Sequence, residues 1–162
     1  VTIETGWGVE GLRCVAAARL IHQLRGKAPT VGSALEVKWH DGQTLLLDVN
    51  TDLTLMVSRS PWRDPYAGCS DAQRSVLAEE VGLWTRVPVD EDDALAPILG
   101  ATATSVEPIF DEVLDLAGVR VLFGSCVLSV EVIMDGLLQL DLNTADPASS
   151  GTFETWPPAV PK

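Results

Sequence analysis

ALEVKWHDGQTLLLDVNTDLTLMV, residues 34–57, is the stretch whose reading decides the fold class. Leu35, Val37 and Trp39 alternate with Glu36 and Lys38, the period-2 pattern of a strand with one face buried. Asp41-Gly42 supplies the residues of a tight hairpin turn, and residues 44–49 return as an apolar run. Asn50-Thr51-Asp52 turns the chain again before Leu53, Leu55 and Val57 alternate. Three antiparallel strands in a meander are expected.

A second stretch has the same grammar. Residues 101–110 are rich in Thr and Val, and an acidic connection, residues 111–115, leads into an alternating segment at 119–123. Gly124-Ser125 and then Asp135-Gly136 turn the chain into residues 126–133 and 137–142. Leu35-Glu36-Val37-Lys38-Trp39 aligns with Val119-Arg120-Val121-Leu122-Phe123, and Leu45-Leu46-Leu47-Asp48-Val49 with Leu128-Ser129-Val130-Glu131-Val132. Asp52 then falls on Asp135 and Leu55 on Leu138. Two readings stay open: an internal duplication, or the chance likeness of any two amphipathic meanders.

Working outward, two segments read as helices. In residues 12–24, Leu12, Ala16, Leu20 and Leu24 recur every four positions, Cys14, Ala17 and Ile21 widen that face, and Gly26 stands where a helix would stop. Ser70 and Gln73 fit a capping box, with Val76, Leu77, Val81 and Trp84 following at helical spacing and Gly82 weakening the end. Residues 88–93 read as a linker, and residues 94–99 as a turn or two of helix limited by Pro97 and Gly100. The expected fold is α+β, two antiparallel β-meanders packed with two main helices. Residues 1–142 form one domain, with sub-units 1–86 and 87–142. Residues 143–162, with Pro147, Pro157, Pro158 and Pro161, form a Pro-rich extension. Phe153 and Trp156 are its expected anchors, on the chain's own body or on a neighbour.

Charge narrows the function. The chain has 162 residues and a net charge of −12, which argues against a general nucleic-acid binder or an anionic membrane surface as partner. The charge is unevenly placed. Residues 1–86 hold 10 of the 23 acids and 9 of the 11 Lys and Arg, so almost all of the excess falls beyond residue 86. The N-terminal VTIETGWG carries Glu4 and lacks a basic region before an apolar run, so no secretory signal is expected. Cys14, Cys69 and Cys126 are widely spaced and odd in number, which is thiol usage of a reducing compartment, and a cytoplasmic location is expected.

Few motifs point to chemistry. Gly6, Gly8 and Gly11 spell G-x-G-x-x-G between a candidate strand, residues 1–5, and the candidate helix after them, the arrangement that cradles a dinucleotide pyrophosphate. Against a nucleotide-dependent enzyme stand the alternating Val1 and Ile3, the bulk of Trp7, the charge of Glu10 and the meander that follows where βαβ crossovers are needed. His22 and His40 lie in no metal or catalytic spacing, and no cofactor or metal is expected. Asp90, Glu91, Asp92 and Asp93 form a straight acidic run, followed by Asp111, Glu112 and Asp115. Such clusters are solvated surface or an electrostatic face for a basic protein. Trp62 and Trp156, in Pro-containing segments, are either packed loop residues or contact anchors.

In size, acidity and meander content the chain resembles small bacterial immunity or inhibitor proteins that neutralise basic toxins, a likeness of bulk properties without a shared motif. The expected function is non-enzymatic: an acidic binding module for a basic protein partner. The acids named above, Trp62 and Trp156 are its expected contacts. The alternatives are a nucleotide-dependent enzyme using Gly6, Gly8 and Gly11, and a structural subunit of a homo-oligomer, which the mean hydropathy of +0.20 favours.

Overall fold

The computed structural model describes residues 7–28, 30–134 and 136–144. The expected strand over residues 1–5, Gly6, Asp135 and residues 145–162 of the expected extension, with Phe153 and Trp156, lie outside the described residues, while Asn143 and Thr144 end a strand.

The elements are β1 (Cys14–Gln23), β2 (Thr30–Trp39), β3 (Thr44–Val49), β4 (Leu55–Ser58), α1 (Asp71–Glu80), β5 (Leu83–Pro88), a single 3-10 turn (Ala96–Ile98), β6 (Ala103–Phe110), β7 (Leu116–Phe123), β8 (Cys126–Ile133) and β9 (Leu137–Thr144). They form two antiparallel sheets, ordered β4-β3-β2-β1-β5 and β6-β7-β8-β9. The fold is α+β with one helix among the described residues, and both expected meanders are present.

The expected helix over residues 12–24 is strand β1. Its four-residue spacing arises because β1 is central, paired with β2 on one side and β5 on the other. Ala17 faces the space between the sheets while Ala18 and Leu20 are buried on the opposite face, so apolar residues occur on both sides of the strand. A strand covered on both faces loses its alternation and mimics a helical stripe. The second helix begins as expected: Gln73 N donates to Ser70 Oγ at 3.2 Å and Ser70 N donates to Gln73 Oε1 at 2.9 Å. It ends at Glu80 instead of running on to Trp84. Gly82, at φ +84°, redirects the chain into β5, and a Cβ there would stand 2.7 Å from the His22 ring and 2.9 Å from the Gln23 carbonyl.

One apolar core lies between the sheets and draws on both. Leu35, Val37, Trp39, Leu45, Leu47 and Leu55 come from the first sheet, and Val119, Val121, Phe123, Leu128, Val130 and Leu138 from the second. These are the same positions of the two aligned meanders. Trp39 stacks on Phe123, with ring centroids 6.2 Å apart and planes inclined by 19°.

The correspondence extends to strands the alignment did not include. Cys14 faces Trp39 and Ala103 faces Phe123; in each strand the pairing then skips a residue, so that Ala16 faces Lys38 and Ser105 faces Leu122. The strand entries meet at an antiparallel bridge, Arg13 to Thr102. Around it the hydrogen bonds are reciprocal. Cys14 N donates to Ala101 O and Ala103 N to Leu12 O; Gly11 N donates to Ala103 O and Gly100 N to Cys14 O. Buried Val9 and Ile98 precede the two glycines at matching places, and both glycines have positive φ, 82° and 78°.

Candidate functional site

Antiparallel order puts the β6–β7 and β8–β9 turns at one end of the second sheet. The β3–β4 turn of the first sheet reaches the same end: a Cβ at Gly136 would stand 3.4 Å from Leu53 Cδ2. Here Phe110, Val113, Leu114, Ile133, Met134 and Leu53 are all exposed, with Val113 at 74%, Leu114 at 77% and Met134 at 95%. Asp111, Glu112 and Asp115 surround the first tip and are exposed as well.

The β6–β7 tip is ordered by its own acids. Asp111 Oδ1 accepts from Val113 N at 2.9 Å and from Asp115 N at 3.0 Å, while Leu114 N donates to Asp111 O at 3.1 Å. Leu114 takes a left-handed φ of +67° and Leu53 one of +64°. A non-glycine residue pays strain for that conformation, on the order of 1 kcal/mol or more. Both strained residues are leucines held out to solvent. Apolar side chains exposed beside carboxylates are a surface on which apolar anchors can carry binding energy and charges can steer approach.

The acidic run at residues 90–93 is a separate turn. Asp93 is engaged within the chain: Arg19 Nε donates to its Oδ2 at 2.9 Å and Arg19 Nη2 to its Oδ1 at 2.8 Å. Those hydrogen bonds hold the Asp93 carboxyl below the usual carboxylate range. Its Oδ1 also accepts from Leu95 N, and Asp90 Oδ1 accepts from Asp92 N, so these two acids shape the turn into the 3-10 segment. Asp90, Glu91 and Asp92 are exposed. No hydrogen bond joins this turn to the β6–β7 tip among the described residues.

Among the described residues, the part of the glycine loop from Trp7 to Gly11 does not form a phosphate cradle. Gly11 leads into a strand, so no helix N-terminus points at the loop, and its positive φ serves the turn that Gly100 repeats. Gly8 lies against Arg59, whose Nη2 donates to Trp7 O and whose Nη1 donates to Gln43 Oε1 at 2.7 Å. Trp62 is half-buried on the outer face of the first sheet against Leu20, Ala34 and Leu46, and its backbone N–H donates to Glu36 Oε2 at 2.7 Å.

Of the other reactive residue types, both histidines make contacts, Cys14 and Cys126 are buried, and Cys69 is a half-buried free thiol. His40 Nδ1 accepts from Arg13 N at 2.9 Å, and the His22 ring lies 5.1 Å from Trp84. Burial pushes the Cys14 thiol up to about 11 and raises that of Cys126. Among the described residues no three His, Cys, Asp or Glu side chains converge as metal ligands, and no helix is long and apolar enough to cross a membrane.

Sequence reading singled out the acids of the tip but missed the apolar residues beside them. The available signal was Val113-Leu114 inside an acidic turn and Met134 just before Asp135-Gly136, positions where turn chemistry favours polar residues. No protein-family model, no curated protein and no solved structure matches the chain.

Proposed function

We propose that the chain is a non-enzymatic binding module for a basic protein partner, engaged through the end of the second sheet. The observation that carries this reading is Leu114, an exposed leucine kept in a left-handed conformation between Asp111, Glu112 and Asp115. A glycine would relieve the strain, so a leucine there fits selection for contact in place of stability. Val113, Met134 and Leu53 extend the apolar area, and Asp90, Glu91 and Asp92 add to the acidic field of the same half.

The two β units, on this reading, are copies of one ancestral unit. Support comes from the matched skips in β1 and β6 and from the reciprocal bonds around Arg13 and Thr102. One copy kept a balanced charge and the other became the acidic contact half.

The test uses the full chain as bait in a host extract at low and high salt, with the retained basic protein then purified and its binding measured. Reversing Asp111, Glu112 and Asp115 to Lys should slow association and flatten its salt dependence. Leu114→Ser should cost about 2 kcal/mol of binding, as a central anchor does. Leu114→Gly should raise folding stability by about 1 kcal/mol while weakening binding. Unchanged affinity in all three variants overturns the reading.

A further inference from the structure

The outer face of the first sheet carries a cleft of about 310 Å³, in the size range of small-ligand sites. Beneath it lie the buried Leu20 and the small Ala34, which face each other across β1 and β2. Trp62 and Trp84 line it together with Asp48 from β3 and Arg63 from the loop after β4.

The cleft is built from braced parts. Glu36 is buried; it accepts from Trp62 N and from Arg86 Nε, the latter at 2.8 Å, and so ties the loop to β2 and β5. Trp84 N donates to the Tyr66 hydroxyl at 3.0 Å, and Arg74 Nη2 donates to both Asp64 Oδ2 and Tyr66 O, fastening the far end of the loop to α1. The two charged residues of the cleft are treated differently. Asp48 is half-buried, and among the described residues its Oδ1 accepts only Val49 N, at 2.7 Å; burial raises its carboxyl above the ordinary range. Neither Asp48 nor Arg63 takes part in an ion pair among the described residues.

A carboxylate and a guanidinium that make no ion pair among the described residues, set in one cleft with two indoles on its walls, match a small zwitterion. We propose that this cleft binds a free α-amino acid with an apolar side chain. Asp48 receives the ammonium, Arg63 the carboxylate, and the indoles of Trp62 and Trp84 hold the side chain between them, above the already buried Leu20 and Ala34. A carboxylate without a cation partner gains a charge-assisted bond on occupation, and an indole face attracts an ammonium. The site lies on the first sheet and stands independently of the protein contact proposed above.

The experiment titrates the full chain with each of the free L-amino acids, following the indole N–H resonances of Trp62 and Trp84, assigned by Trp→Phe substitution. Apolar amino acids should shift both resonances saturably. Their N-acetyl and methyl-ester forms, and the Asp48→Asn and Arg63→Ala variants with free ligand, should each bind about tenfold or more weakly, the loss of one hydrogen bond to a charged group. Both replaced side chains are outside the core, and circular dichroism checks that the variants remain folded. No saturable shift up to about 10 mM, a range in which even millimolar affinity is detected, overturns the proposal. So does equal binding of the blocked forms or of either variant.

Discussion

The two sheets bury equivalent residues on their inner faces and treat their outer faces in opposite ways. On the first sheet, Leu20, Ala34 and Leu46 are covered and Glu36 is buried under Trp62 and Arg86. At the aligned place in the second sheet stands Arg120, half-exposed, 3.5 Å from Glu107. The difference comes from one excursion, residues 59–82, which leaves the end of β4, lays Trp62 over the first sheet, continues as α1 and returns as β5. An inner face is constrained by packing with its opposite number, whereas an outer face is free to be roofed or left open for contact.

The sharpest way to break this comparison is in the core. If Trp39 and Phe123 hold equivalent places, Trp39→Ala and Phe123→Ala should each cost about 3–5 kcal/mol in chemical denaturation. Trp39→Phe should cost about 1 kcal/mol or less, because the indole Nε1 is buried without a hydrogen-bond partner among the described residues and the second unit fills the place with phenylalanine. A large loss for Trp39→Phe would mean that the two places are not interchangeable.

The outer faces give the next contrast. Glu36→Ala leaves the Trp62 N–H and the Arg86 guanidinium without their acceptor and should cost about 2 kcal/mol. Glu107→Ala breaks a half-exposed pair and should change stability by about 0–1 kcal/mol. Equal losses would contradict the difference between a covered and an open face.

The smallest effect lies in the pH dependence of two carboxyls. Arg19 lowers the Asp93 pKa, so the stability Asp93 contributes is present above the unfolded carboxyl value, about 3.9, and is lost as pH falls through the lower folded value. Burial raises the Asp48 pKa, so its charged form costs stability at neutral pH, and that cost disappears as pH falls through the raised folded value. Asp48→Asn should therefore stabilise the protein at pH 7 and Asp93→Asn destabilise it, the two curves meeting wild type in strong acid. Thermal denaturation across pH reads both signs.

Much of the strand order was readable because hairpins are local. Asp41-Gly42 and Gly124-Ser125 turn the chain within a few residues, and Ser70 and Gln73 cap α1 from within one turn. β1 was misread because a central strand hides its period when both faces are covered. Of the sheet end proposed as a contact, Asp111, Glu112 and Asp115 were readable as acids, but Leu53, Met134 and Leu114 enter only through their exposure and, for the two leucines, their backbone angles. The cleft was not readable at all. Asp48, Arg63 and Trp84 come from three elements, and nothing in their spacing predicts that they meet.

By itself the sequence determined the two meanders, the inward residues of each, the capped helix and the uneven charge. These follow from period, turn chemistry and composition, which act over a few residues. Only the tertiary structure decided that residues 14–23 form a central strand, that Asp93 is occupied by Arg19, and that the loop carrying Trp62 makes one wall of a cleft. Those outcomes depend on which distant partner completes a sheet or neutralises a charge, and that free energy exists only once the chain has brought the partners together.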